Sequence, residues 1–314
     1  MTAARHDRRS AIVSAIASPW RSWQRTWTPP AVGRLTLSYL VGLAVVVVVR
    51  VPRAAPLLLP IAALALAVVA AARWGSRSRW GRCIDAFFPI VSLVGTFELT
   101  VLVIANANPA LWDATFATLD HRLFGALPAA WFAALGRPAW LTDTVSLLYV
   151  SFYFVPLIPA VALYRTGRDG EFERLVFDVV GTFLLSYALY LFFPTAGPRM
   201  PAELETQVLG GGAISEWVRE FLRVAERSPF DAFPSGHAAV ACVCLVHGWR
   251  CFPRWRAPFA LLVAGIIFST VYLSLHYLVD VVAGVLLAPL ALGVLPALRR
   301  RLGSPERDGI AAGR

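Results

Sequence analysis

The chain has 314 residues, of which 58% are hydrophobic and 15% are charged, and its mean hydropathy is +0.63. Soluble domains usually carry about 25% charged residues, so this composition excludes a soluble cytosolic enzyme, a disordered chain and a secreted disulfide scaffold. The 29 basic residues are all arginines and lie between apolar runs rather than in one patch, which argues against nucleic acid as a partner. A multi-pass membrane protein is predicted.

Eight apolar runs approach the roughly 20 residues that a membrane-spanning helix needs. In chain order they are Leu35–Val49, Ala54–Ala72, Ala86–Ala107, Leu141–Tyr164, Leu175–Phe193, Pro234–Trp249, Ala257–Leu275 and Tyr277–Leu298. The first and the sixth are short for a bilayer. The predicted fold class is therefore an all-α integral membrane protein with about eight transmembrane helices.

The arginines also predict how the chain is oriented. With the N-terminus placed in the cytoplasm, the inner segments hold 21 arginines and the outer segments hold 8. Cytoplasmic loops are the basic ones, so both termini are expected in the cytoplasm of a cell membrane, with a bacterial inner membrane favoured. Trp20, Trp23 and Trp27, with Arg21 and Arg25, are typical of an interfacial helix before the first span.

Three segments at span ends carry the chemistry, and this topology places all of them on the outer side. They are Pro194–Arg199, Phe233–His237 and Ser269–Asp280. Pro234 suits a helix start, and the N–H groups of Ser235 and Gly236 would then face an anion. Four residues separate His276 from Asp280, so on a helix the carboxylate would reach the imidazole and leave the other ring nitrogen free as a nucleophile. Arg199 adds a planar fork for phosphate oxygens.

These residues resemble the type-2 phosphatidic acid phosphatase (PAP2) superfamily, over about residues 84–298. The resemblance implies a six-helix core, with His276 as the nucleophile that forms a phosphohistidine and Asp280 as its orienting carboxylate. His237 would be the general acid, and Arg199, Ser235 and the Gly236 N–H would hold the phosphoryl oxygens. The remaining chain divides into a cytoplasmic segment (1–34), a two-span extension (35–83) and a basic cytoplasmic tail (299–314).

Two cations of the family pattern are missing. Phe192 stands where the family has a Lys, and Thr270 stands where it has an Arg. The string from Thr270 to Asp280 instead resembles the inositol phosphorylceramide synthase (Aur1/Ipt1-like) branch, which implies an inositolphosphotransferase. A phosphodiester carries one negative charge, whereas a monoester carries nearly two, so a pocket with fewer cations favours the diester.

The expected reaction is transfer of a phosphoryl group or phospho-headgroup from a membrane lipid to a lipid alcohol or to water, with no metal and no other cofactor. A lipid phosphate or diphosphate phosphatase of the same superfamily is the alternative enzyme. Outside the enzymes, an anion or lipid transporter would use the same residues for binding alone. A zinc site built from His237, His276 and Asp280 is the chemical rival. Asp113, Asp120 and His121, in the first long outer loop, are read as the solvated face of a surface helix or as headgroup contacts.

Overall fold

The computed structural model describes residues 30–75, 79–125, 130–132, 136–199, 209–226 and 228–303, which are helical and contain no strand. The α-helices in these ranges, numbered in chain order, are α1 Ala31–Arg50, α2 Leu58–Gly75, α3 Arg79–Ala107, α4 Asp113–Phe124, α5 Ala139–Ser151, α6 Leu157–Arg165, α7 Asp169–Tyr190, α8 Ala213–Ala225, α9 Gly236–Cys251, α10 Arg256–Tyr272 and α11 Leu278–Arg301. The predicted interfacial tryptophans, Arg227 and the end of the basic tail lie outside the described residues.

Each of the eight predicted spans falls on a helix or a helix pair, which confirms the all-α membrane class. In the part of the chain that the structure describes, five helical runs are long and apolar enough to cross a membrane: Ala31–Arg50, Pro52–Gly75, Trp80–Ala107, Pro253–Tyr272 and Leu278–Arg301. A sixth is the pair Ala139–Phe154 and Leu157–Arg165, which bends by 41°. The first span is not short as predicted, because its helix continues through Arg34 and has 20 residues.

The other two predicted spans, α7 and α9, are buried at the centre of the bundle. Helix α7 packs against α1, α3, α6, α9 and α11, and most of its residues are buried. Helix α9 has 16 residues, so the prediction that this span is short is confirmed. A buried pair joins the two helices, with His247 Nε2 lying 2.9 Å from Asp178 Oδ2. Protein rather than lipid surrounds these helices, which makes such polar residues tolerable.

One end of the bundle collects the segments that carry the chemistry. Helix α7 ends there, α9 begins there, and the chain turns there from α10 into α11. Two shorter helices from the long loops lie against this end, with α4 packed on α11 and α8 packed on α5. The bundle thus brings residues from distant parts of the sequence to one place.

Candidate active site

Two histidines face each other at this end of the bundle. His237 lies in the first turn of α9, and His276 lies in the turn that precedes α11. Their ring centroids are 5.7 Å apart and the rings are nearly perpendicular. The sequence placed both residues at span ends on one side, and the fold brings them together.

His276 is held in the form that suits a nucleophile. Its Nδ1 lies 3.0 Å from the carbonyl oxygen of Ala232. A carbonyl can only accept, so Nδ1 carries the proton and Nε2 keeps a lone pair. Burial, together with the neighbouring charges of His237 and Arg199, lowers the pKa of His276 to about 3. The ring is therefore neutral at physiological pH.

Asp280 lies close to His276 but is hydrogen bonded elsewhere. The Oδ2 atom is 3.6 Å from His276 Nδ1, beyond hydrogen-bond length, and it accepts from the backbone N–H of Tyr277 at 2.9 Å. The reason is local: α11 begins at Leu278, so His276 is not on the helix and Asp280 instead caps its first turn. The carbonyl of Ala232, and not the predicted carboxylate, accepts the hydrogen bond from His276 Nδ1.

Helix α9 begins at Gly236, two residues after the predicted start at Pro234, and the Ser235 N–H that was expected to face an anion is already paired. Ser235 is the N-cap, and its hydroxyl accepts from the Ala238 N–H at 3.3 Å. Its own N–H donates to the Asp280 carbonyl at 2.9 Å, which joins the starts of α9 and α11. A Cβ on Gly236 would lie 2.9 Å from the Tyr190 hydroxyl oxygen, so a larger residue has no room.

Arg199 reaches the site from the loop after α7 and is partly neutralised there. One guanidinium nitrogen donates to the carbonyl oxygen of Glu226, and the other lies 3.5 Å from Asp231 Oδ1. Burial raises the pKa of Asp231 to about 6, although the charge of Arg199 opposes the shift. The single arginine of this motif thus has a carboxylate beside it whose charge changes near neutral pH.

Glu226 is a site residue that the sequence did not reveal. It follows the last residue of α8, and its side chain is 10% exposed. Three donors surround its carboxylate: the hydroxyl of Tyr149 at 2.5 Å, the hydroxyl of Tyr153 at 2.6 Å and His237 Nε2 at 3.3 Å. Burial alone would raise the pKa of Glu226, but the charge of His237 and these hydrogen bonds lower it to about 2.

The helix α4 ties the site loops together through two aspartates. Asp113 accepts from the N–H groups of Ala196 and Gly197 at 3.0 and 2.9 Å, in the loop that leads to Arg199. Asp120 is fully buried and accepts from the N–H groups of Leu278 and Val279, at the start of α11. Neither carboxylate faces water as the prediction of a solvated face required; of the three residues, only His121 is exposed.

Two other arginines near this end of the bundle have partners of their own. Arg219 donates to the Gly210 carbonyl, and Arg223 pairs with Glu220 at 2.7 Å. Of the two residues that replace family cations, Phe192 is 66% exposed, whereas Thr270 is buried and donates to the Ile267 carbonyl. Within the described ranges, no group of three or more His, Cys, Asp or Glu side chains is arranged to hold a metal ion.

The family model described as the PAP2 superfamily matches residues 114–294, which is more than half of the chain. The chain belongs to the PAP2 superfamily. This superfamily's members are phosphatases or phosphotransferases. The match includes both histidines, Arg199, Asp280 and the newly found Glu226.

A curated relative also matches this PAP2 chain: a PA-phosphatase related-family protein from Dictyostelium discoideum, 23% identical over 163 residues. The match covers 45% of this chain and 30% of that protein, so the chain spans about a third of its relative's length. No solved structure matches the chain.

Proposed function

We propose that the chain is an integral-membrane enzyme that transfers a phosphoryl group or phospho-headgroup from a lipid through a phosphohistidine on His276. The observation that carries the proposal is the hydrogen bond from His276 Nδ1 to the Ala232 carbonyl, which leaves a neutral Nε2 lone pair 5.7 Å, ring to ring, from a second histidine. A buried neutral imidazole beside a proton donor is what covalent phosphoryl transfer needs.

The reaction then has two steps. His276 Nε2 attacks phosphorus, the bond to the lipid oxygen breaks, and His237 gives its proton to the departing oxygen. In the second step His237 removes a proton from the acceptor hydroxyl, which attacks phosphorus and releases His276. Arg199, Ser235 and the Gly236 N–H stabilise the charge on the phosphoryl oxygens. Asp280 fixes the start of α11 beside the nucleophile.

The finer proposal is a headgroup transferase of the inositolphosphotransferase kind, with a phosphodiester donor and a lipid alcohol as acceptor. Its support is the charge at the site. Phe192 and Thr270 replace two cations, Asp231 sets a carboxylate beside Arg199, and the carboxylate of Glu226 lies beside His237. A monoanionic diester is repelled less by such a site than a monoester dianion. With water as the acceptor, the same machinery is a lipid phosphatase.

The proposal includes a location and a division of the chain. The arginine bias supports a site on the extracytoplasmic side of the cell membrane with both termini in the cytoplasm. Residues 84–298 form the catalytic core and 35–83 a two-span extension, with 1–34 and 299–314 as cytoplasmic ends. The partners are membrane lipids.

Phosphorus NMR of the purified chain in micelles tests the reaction. The mixture holds phosphatidic acid, phosphatidylinositol and a lipid alcohol such as ceramide or diacylglycerol. A new diester signal that requires the lipid alcohol supports the transferase, whereas inorganic phosphate released from phosphatidic acid supports the phosphatase and overturns the charge argument. His276→Ala abolishes turnover in either enzyme. A transporter keeps part of its transport in that variant, since binding needs no nucleophile.

A further inference from the structure

Glu226 connects the two parts of the site that the reaction uses. Its carboxylate lies 3.3 Å from His237 Nε2, and its backbone carbonyl accepts from the Arg199 guanidinium. Tyr149 adds a second path, because its hydroxyl donates to Glu226 at 2.5 Å and lies 3.0 Å from the same Nε2. Of the two groups near His237 Nε2, one is the buried carboxylate of Glu226 and the other, the Tyr149 hydroxyl, is hydrogen bonded to that carboxylate.

This arrangement decides which ring nitrogen of His237 exchanges protons. The Tyr149 hydroxyl gives its hydrogen to Glu226, so it can only accept from His237, and Glu226 also accepts. Nε2 must then keep its hydrogen throughout the cycle. Nδ1 is left to protonate the departing oxygen in the first step and to take the acceptor's proton in the second.

We propose that Glu226 is the positioning residue of His237: it fixes the ring, holds the Nε2 hydrogen and stabilises the imidazolium that donates the proton. This inference rests on the proposed function, because it assigns the partner of the general acid in that reaction. A carboxylate that orients a catalytic imidazole contributes strongly to proton transfer in other enzymes, although it touches no substrate.

Surrounding groups from every neighbouring element bear on this role. They are Tyr149 of α5, Tyr153 of the turn after α5, Arg199 of the loop after α7, Asp231 of the loop before α9 and His276 of the turn before α11. Phe152 packs its ring 4.4 Å from the His237 ring and confines it further. The pair is thus enclosed, which strengthens the interaction between carboxylate and imidazolium.

Glu226→Gln tests the proposal, with Glu220→Gln as the matched control on α8, where the side chain is 68% exposed and pairs with Arg223. Turnover is measured in mixed micelles of short-chain phosphatidic acid, phosphatidylinositol and diacylglycerol. We expect Glu226→Gln to lower kcat by about 100-fold with little change in KM, and to move the alkaline limb of the kcat profile to lower pH. Glu220→Gln keeps the wild-type profile.

Tyr153→Phe gives the opposite shift and remains informative if Glu226→Gln fails to fold. It removes one donor from the carboxylate, which then stabilises the imidazolium more strongly and moves the alkaline limb to higher pH. An unchanged kcat with a lower KM in Glu226→Gln overturns the proposal, because the carboxylate would then only occupy the place of the phosphate. An unmoved limb in both variants overturns it as well.

His276→Asn separates this inference from the proposed function. If that variant is inactive while Glu226→Gln behaves like wild type, the function stands and the role of Glu226 fails. If His276→Asn keeps full turnover, or the wild type converts none of these lipids, the proposed function fails. In that case ¹³C-histidine NMR without substrate still tests whether Glu226 pairs with His237. The His237 signal is assigned by its absence from His237→Asn. This signal must titrate at lower pH in Glu226→Gln than in the wild type, and an unchanged titration overturns the pairing.

Discussion

The carboxylate of Asp120 lies 2.8 Å from the backbone N–H of Leu278, across 158 residues of sequence, and its other oxygen lies 2.9 Å from the next N–H. Asp120 thus pairs with N–H groups that have no partner within α11 and stabilises the positive end of the dipole of this helix, which begins just after His276. A residue of the short helix α4 thus fixes the position of the turn that holds His276 without touching the histidine.

Asp120→Asn removes this charge and leaves one of the two N–H groups without a good acceptor. We expect a loss of about 1–2 kcal/mol in the free energy of unfolding, together with a lower kcat, because the turn that holds His276 loosens. Thermal unfolding in micelles and turnover measure the two effects. His121→Asn, an exposed neighbour on α4, is the control. If Asp120→Asn and His121→Asn are equally stable, Asp120 does not stabilise the start of α11.

Gly197→Ala tests how closely two site loops approach. Gly197 has φ of +83°, and a Cβ there would collide with the carbonyl oxygen of Leu275, beside His276. Gly125 has the same φ and nothing near its Cβ position, so Gly125→Ala carries the backbone cost of about 1 kcal/mol alone. We expect Gly197→Ala to lose at least tenfold more activity than Gly125→Ala. Similar turnover in both would mean that the loops need not touch.

The raised pKa of Asp231 leads us to predict that anion binding depends on pH near neutrality. Its pKa of about 6 means that acidification through this range neutralises the carboxylate beside Arg199. Inhibition by orthovanadate should therefore tighten in the wild type as the pH falls from 7.5 to 5, whereas Asp231→Asn binds tightly throughout. Vanadate itself ionises in the same way with both proteins, so this contribution cancels in the ratio of their two inhibition constants. A ratio that stays constant with pH would refute the coupling.

The lowered pKa of His276 leads us to predict that the folded protein loses stability in acid. Its pKa is lowered from 6.5 to about 3 by burial, so between these values the unfolded chain binds a proton that the folded chain does not. Stability from this residue is complete above pH 6.5 and is lost as the pH falls toward 3. We expect the melting temperature to fall less steeply with acid in His276→Asn than in the wild type. Both proteins keep Asp231, whose opposite effect cancels in the comparison; parallel slopes would rule out the buried neutral ring.

The residues that sequence reasoning located share a feature: each lies in a short motif at the end of an apolar run. His237, His276 and Arg199 could be placed at one end of the bundle because alternate span ends share a side. Glu226 could not be found this way, since it follows an amphipathic helix on which Glu216, Glu220 and Arg223 are exposed. Its partners Tyr149 and Tyr153 are more than 70 residues away, and no periodicity reports such a contact.

Contacts between residues that are distant in sequence also explain why the predictions for Asp178, His247 and His276 differ from the structure. Asp178 lies near a span end, which suggests contact with water, and His247 suggests a cap or a packing residue. They form a buried pair because α7 and α9 are both largely buried in the bundle. The hydrogen-bond partner of His276 was also predicted wrongly. The spacing from His276 to Asp280 suggested a pair within one helix, but α11 begins at Leu278, after His276, and the observed partner is a backbone carbonyl, which leaves no residue-type signal in a sequence.

The contacts of Asp120 and Asp113 also constrain the order of events when the chain is made. Both aspartates precede their partners by more than 80 residues, and the partners of Asp120 belong to the last helix of the described chain. Until that helix is made, the carboxylate of Asp120 has no partner and the turn that holds His276 has no capped helix to follow it. A copy of the chain that stops before α11 therefore lacks the native arrangement of the candidate site.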